Sequence, residues 1–396
     1  MSKALRTMII VLITFIIALS FFIYNLSPPS TEDEMWKKVF TIKMSVTFKN
    51  ENNEGEIWNF TREDRAIALF MNSTWQTVYL INCSHHIEAF EIDGDGNPIA
   101  ILRFPRLWIA PEENLSYWAE YKIVMKPRIM PEISEDMSGV LDDISDNLKD
   151  SFCGIEGPWQ TEDPELIQLA RSIVVNETRV LTMIKLFVAW IDFNIRYPSV
   201  PHEVPLYPNE TFKDGYGDCD DKANLLITLC RICGIPAFLQ IGCIYLPQKS
   251  SEISYYWNGH MVDTLIRIGW HGWAIVYVPP WGWLPVDLTY AYGLGQDPLN
   301  AIRTSAVISN PTVQFINITY SDYVALSRDL RSFLITHNFY ISECDEMIER
   351  AAIQENILVE WPRLHLRMSD AEKAFHFLTR LEALAAIFRL YYGEGL

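Results

Sequence analysis

The order of elements along the chain predicts an α+β protein, and three observations carry that expectation. Residues 36–128 read as short strands separated by turn clusters. Residues 161–235 read as helices. Residues 237–290 return to strands, two of them joined by the tight turn "PPWG". Helices followed by antiparallel strands indicate an α+β arrangement.

The strand signal begins at Val39. Phe40, Ile42, Met44, Val46 and Phe48 alternate with Thr41, Lys43, Ser45 and Thr47, the period of a half-buried strand. "TVYLI" at 77–81 and "YWAEYKIVM" at 117–125 repeat it, and "KNENNEG" and "DGDGN" supply turns. Residues 36–128 are therefore expected to form an antiparallel β-sandwich. "DGDGN" at 93–97 also resembles the start of a calcium loop, but Pro98 replaces the required Gly and Phe104 stands at the twelfth position in place of Glu. A hairpin turn is the better reading.

Residues 129–160 are acidic and irregular, a linker with one helical piece. Asp163 and Pro164 then open a helix as N-cap and first helical residue. "VLTMIKLFVAWIDFNI" at 180–195 is apolar nearly all round, which marks a buried helix. "YGDCDDKANLLITLCRICGIP" at 216–236 is a helix with defined ends: Asp218 caps it, Asp221 sits at N3, Gly234 ends it and Pro236 prevents continuation. Strands are expected at 237–246, 270–278 and 282–290. Residues from about 342 to 392 read as helical, with "SDAE" at 369–372 as a capping box. The expected layout is an N-terminal anchor at 1–26, a tether at 27–35, the sandwich at 36–128, the linker at 129–160, a core at 161–325 and a C-terminal helical region at 326–396.

Composition narrows the function. Asp and Glu outnumber Lys and Arg by 50 to 32, for a net charge of −18, which argues against binding a nucleic-acid backbone. Lys3 and Arg6 precede the uncharged run Met8 to Leu26, which is just long enough to span a bilayer and lacks a clear small-x-small cleavage site. An uncleaved single-pass anchor with the rest of the chain outside the cell membrane is the expectation, with a cleaved signal peptide as the alternative. N-x-S/T occurs at Asn25, Asn59, Asn72, Asn82, Asn114, Asn176, Asn209 and Asn317, where chance gives about 2. That excess points to an exported glycoprotein. The 7 cysteines are too sparse for a disulfide scaffold, and their odd count leaves at least one thiol unpaired within the chain.

Cys219 is the thiol in an unusual place. It starts a helix, where backbone N–H groups and the helix dipole favour a thiolate, and Gly215 and Gly217 precede it. Those glycines are expected to leave the sulfur open to approach. A thiolate needs a base, and the base an orienting partner. His271 lies on one strand and Asp287 on the next, and "PPWG" makes those strands antiparallel neighbours. Asp218, Asp220 and Asp221 oppose the thiolate through like charge unless they point away or pair with Lys222.

"GYGDCDDKANLLITLCRICGIPAFLQIG" resembles the nucleophile segment of the transglutaminase-like superfamily of cysteine enzymes, and "HGWAIVYVPPWGWLPVDLTY" resembles its His and Asp segments. The resemblance covers about 160–295. It implies a transglutaminase-like (papain-like) core preceded by an immunoglobulin-like β-sandwich, and a catalytic triad of Cys219 as nucleophile, His271 as base and Asp287 as its partner. It implies acyl transfer at a peptide or carboxamide bond, with a protein or peptide as substrate, and no cofactor or metal. Hydrolysis is expected, with protein cross-linking as the alternative. A module that has lost catalysis and serves as an extracellular binding or scaffold unit is the non-enzymatic alternative. His260 with Asp263 is a rival base. Cys230 and Cys233 read as core thiols at the disfavoured end of their helix, and His85 and His86 read as strand neighbours and not as metal ligands.

Overall fold

Period-two patterning decides the first half of the chain. The computed structural model describes residues 37–199, 202–290 and 295–350. Its first half comprises β1 (Lys38–Asn50), β2 (Trp58–Asn59), β3 (Ala66–Ala68), β4 (Gln76–Cys83), β5 (Ile87–Ile92), β6 (Pro98–Leu102), β7 (Trp108–Ile109) and β8 (Asn114–Met125). β1 pairs antiparallel with β8 over nearly its whole length, from Lys38↔Met125 to Lys49↔Asn114. Its inward residues Phe40 and Ile42 are fully buried beside Tyr121 and Ile123. The small sheet β3–β6–β5 faces them and contributes Ile67, Ala100 and Leu102 to the same core. The Tyr121 hydroxyl ties the layers by donating to the Ala68 carbonyl at 2.7 Å.

The second half comprises α1 (Asp146–Phe152), α2 (Pro164–Val174), α3 (Val180–Asn194), α4 (Pro208–Asp214), α5 (Cys219–Ile232), β9 (Ala237–Tyr245), β10 (Glu252–Tyr256), β11 (Met261–Ile266), β12 (Ile268–Val278), β13 (Gly282–Val286), α6 (Asn300–Arg303), α7 (Ala306–Ser309), β14 (Thr312–Ile318), α8 (Tyr323–His337) and β15 (Phe339–Arg350). The class is α+β, as the order of elements predicted. α3 buries Leu181, Ile184, Phe187 and Ile191 against Leu225, Leu226 and Leu229 of α5 and Leu239 and Ile275 of the sheet β13–β12–β9–β14. Asp163 caps α2 by accepting from Glu165 N at 2.8 Å and Leu166 N at 3.1 Å.

The C-terminal expectation needs correction. The stretch from 326, expected to be helical, leaves the helix at His337, reverses at Asn338 (φ 52) and becomes β15. β15 pairs with β1 at twelve successive positions, from Val39↔Arg350 to Asn50↔Phe339. The free edge of β1 and the buried positions Phe339, Ile341 and Met347 outweigh the helical propensity of the acidic residues between them. β15 in turn pairs parallel with β11, so the largest sheet runs β10–β11–β15–β1–β8–β4. It therefore extends beyond residues 36–128, because later strands complete it. The expected "SDAE" cap and the helices beyond 350 lie outside the described residues.

The expected membrane placement is also corrected. Among the described residues no helix is long and apolar enough to cross a membrane, and the Met8–Leu26 run and its tether lie outside them. The outward-facing cell-membrane localisation that rested on that run is withdrawn. Two of the N-x-S/T asparagines take part in the fold's own hydrogen bonds. Asn317 lies in β14, where its Oδ1 accepts from Gln240 Nε2 at 2.8 Å, and Asn72 Oδ1 accepts from Val78 N at 2.8 Å. Both side chains are engaged within the fold.

The "DGDGN" hairpin acts as a clasp. Asp93 Oδ1 organises the turn through Asp95 N and Asn97 N. Asp95 Oδ1 accepts from Thr319 N at 2.8 Å, Tyr320 N at 2.6 Å and Ser321 N at 3.0 Å. The tip of the β5–β6 hairpin thus fixes the segment between β14 and α8.

Candidate active site

The turn that delivers Cys219 depends on two glycines. Gly215 ends α4 in the left-handed region (φ 68), which favours glycine. A Cβ on Gly217 would lie 2.8 Å from Asp221 Cβ and 2.9 Å from Thr211 Cγ2. Their role is to make the α4–α5 turn, whereas the sequence suggested that they clear the way to the sulfur. Asp221 is fully buried and holds the turn from inside α5. Its Oδ2 accepts from Asp218 N at 3.2 Å and its Oδ1 from Leu206 N at 2.8 Å.

Cys219 is the first residue of α5 and partly buried, and the backbone N–H of Gly272 on β12 is near enough to favour a charge on its sulfur. β12 approaches the helix so closely there that a Cβ on Gly272 would lie 3.0 Å from Asp220 Cβ. The next residue back along β12 is His271. β12 pairs with β13 in the register Ala274↔Val286, which brings Asp287, one residue past β13, onto the histidine. His271 Nε2 and Asp287 Oδ2 are 3.0 Å apart and both residues are buried. With the carboxylate as acceptor, Nε2 carries the proton and Nδ1 presents its lone pair.

Asp287 is strongly organised. Its Oδ1 accepts from Thr289 N at 3.1 Å and Tyr290 N at 3.2 Å, and its Oδ2 also accepts from Ala306 N at 2.9 Å. Burial works against its charge, but the His271 ring and the N–H groups of Ala306 and Thr289 outweigh it and hold the carboxyl below its usual range. Cys219 is in the opposite position. Burial first, then the charges of Asp220 and Asp218, push its thiol well above the ordinary range, and the N–H groups of Gly272 and Asp220 offset only part of that. The ligand atoms of Asp218, Cys219 and Asp220 lie within 4.8 Å of one another. The crowding also raises the Asp218 carboxyl, through burial and then the charge of Asp220. The acidic flank therefore neither points away nor pairs with Lys222, which lies near Asp192.

The rival groups lie elsewhere. His260 Nδ1 is bonded to the Phe339 carbonyl at 2.8 Å, and its ring stacks on Tyr340. Cys230 and Cys243 are fully buried, and all 7 cysteines are free. The motifs gave no sign of Tyr323, Asn224, Tyr197 or Tyr290. Tyr323 and Asn224 reach the site through Asp220. Tyr197 faces the thiol and its acidic neighbours, which help burial raise the tyrosine's own pKa. The Tyr290 ring centre is 6.1 Å from that of His271.

Residues 167–288 match the model of the transglutaminase-like superfamily, so the chain carries a domain of that superfamily. Among solved structures the chain is similar to a candidate cysteine protease from Cytophaga hutchinsonii, at 14% identity and a TM-score of 0.47, covering 83% of this chain and 96% of the other. It is also similar to the periplasmic domain of TgpA from Pseudomonas aeruginosa, at 13% identity and a TM-score of 0.30, covering 69% and 91%. A candidate protease from Parabacteroides distasonis follows at 10% identity and a TM-score of 0.26, covering 72% and 68%. A comparison with curated proteins returns no match.

Proposed function

We propose that the protein is a cysteine enzyme that transfers acyl groups from peptide or carboxamide bonds through a thioester on Cys219. The observation that carries this is the 3.0 Å His271–Asp287 contact on β12, whose next residue, Gly272, packs against the start of α5 beside Cys219. Because the resting thiol is held protonated, attack and proton transfer occur together: the sulfur attacks the carbonyl as His271 Nδ1 takes its proton. Asp287 orients the ring and stabilises its charged form without taking the proton. The backbone N–H of Cys219, at the start of α5, faces the developing oxyanion. His271 then protonates the leaving amine, and water attacks the thioester with His271 again as base. Free thiol, acid and amine result. Hydrolysis is favoured over cross-linking because Tyr197 and Tyr216 beside the site are more than a third exposed, and amine transfer needs water excluded.

The test is cleavage of a peptide library with an amine acceptor present, using the full chain and its Cys219→Ala variant. Cleavage that vanishes in the variant supports the proposal, and amine incorporation without cleavage moves it to cross-linking. No Cys219-dependent turnover against a broad library would leave the non-catalytic module as the better account.

A further inference from the structure

Four side chains outside the Cys–His–Asp set, two of them fully buried and two partly buried, form a chain of hydrogen bonds that ends at the sulfur. Trp159 is fully buried and its indole can only donate, so its Nε1–H goes to Asn224 Oδ1 at 3.2 Å. That fixes the amide of Asn224 with its NH2 toward Tyr323, and Nδ2 donates to the Tyr323 hydroxyl at 2.6 Å. The hydroxyl oxygen is then an acceptor, and its single proton has one partner, Asp220 Oδ2, at 2.6 Å. The other oxygen of Asp220 accepts from Cys219 Sγ at 3.8 Å. Tyr323 opens α8, downstream of the segment matching the family model. The preceding residues 319–321 are those fixed by Asp95 of the N-terminal hairpin.

We infer that Tyr323 is a positioning residue of the Cys219 site, its hydroxyl clamping the Asp220 carboxylate beside the sulfur. This rests on the assignment of Cys219 as the nucleophile. The clamp keeps a negative charge against the thiol, and that charge is one of the forces opposing thiolate formation. The ionisable groups whose charges bear on Asp220 are Asp218 and Asp221 of its own segment, Cys219, Tyr323 from α8 and Tyr197 from the loop before α4, and β12, which packs on Asp220 at Gly272, carries His271 at the preceding position. None of them is a cation matched to Asp220, so the tyrosine proton sets where its charge sits. Without the hydroxyl the carboxylate is free to turn away from its like-charged neighbours and from the thiol.

The experiment is the rate of Cys219 alkylation by iodoacetamide against pH, followed site by site by mass spectrometry in the full-length protein. Tyr323→Phe should lower the midpoint by about one pH unit, and Asp220→Asn should lower it at least as far. The double variant should match Asp220→Asn alone, since the tyrosine acts only through the carboxylate. A purely structural tyrosine would lower thermal stability and leave the midpoint in place. An unchanged or raised midpoint in Tyr323→Phe overturns the inference, as does an equal shift when Asp220 is already Asn. A wild-type protein in which another cysteine outpaces Cys219 throughout the pH range argues instead against the proposed nucleophile.

Discussion

At Cys219 two electrostatic effects compete. The start of α5 favours a thiolate, but burial and two aspartates disfavour it more strongly. Such a thiol depends on its base at the moment of attack, so His271 should be nearly as indispensable as the sulfur. His271→Ala is expected to abolish turnover almost as fully as Cys219→Ala. Asp287→Asn should retain the fold, because the amide oxygen can still accept from backbone N–H groups, but should lose on the order of 10²-fold or more in kcat through the wrong histidine tautomer. Adding His271→Ala to it should cost little more, since such residues act as a unit. Steady-state kinetics on any substrate found by library cleavage decides this, and full activity in His271→Ala would exclude the mechanism. As candidates, His271 and Asp287 were legible because the strand–turn–strand unit fixes their spacing, and Cys219 because it opens a helix after two glycines. Tyr323 was not, because only tertiary folding brings it to a residue a hundred positions earlier in the chain.

Among the elements, the ends of α2 and α5 could be read directly, because Asp163 and Gly234 mark local backbone chemistry. β15 could not. Its sequence "FYISECDEMIER" carries a weak alternation, and what makes it a strand is a partner, β1, about 300 residues away. The β5–β6 hairpin shows the same divide: its turn was legible and its clasp on residues 319–321 was not. Asp95 holds three backbone N–H groups there; burial raises its carboxyl, but the Ser321 side chain and then the N–H groups of Tyr320, Thr319 and Ser321 outweigh burial and keep it below the usual range. Asp95→Ala should therefore destabilise the protein by about 2 kcal/mol at neutral pH. The carboxyl has a depressed folded pKa, so its contribution is present above its unfolded value of about 3.8 and fades as pH falls through the lower folded value. The gap between wild type and Asp95→Ala in chemical denaturation should narrow on acidification. A gap that is the same at pH 7 and pH 3 would mean that the charge plays no part in the clasp.

At the scale of the molecule, the first and last described strands lie side by side, and buried polar contacts join the sheet they share to the sheet of the candidate site: Gln76 of β4 exchanges two hydrogen bonds with the Gln314 backbone of β14, and a third contact lies at β12. Trp270 of β12, next to His271, donates Nε1–H to Asp345 Oδ2 of β15 at 2.8 Å. Asp345 is 3% exposed. Burial pushes its carboxyl up, the Trp270 bond opposes this and the charge of Asp263 adds to it, placing the group at about 7. Glu343, on the same face of the strand, is raised as well, by burial and then by the charges of Asp345 and Asp263. A carboxyl whose folded pKa exceeds its unfolded value binds its proton more tightly when folded. Its contribution to stability is therefore intact below about pH 4 and is lost as pH rises towards 7. Asp345→Asn keeps an acceptor for the indole and cannot ionise. The variant should thus resemble wild type near pH 4 and exceed it at pH 8 by on the order of 2–4 kcal/mol, the size of a three-unit shift. Urea denaturation at the two pH values measures the difference. If the advantage of the variant fails to grow between them, Asp345 is already ionised in the folded protein, and the junction between the sheets must be stabilised by something other than a protonated acid.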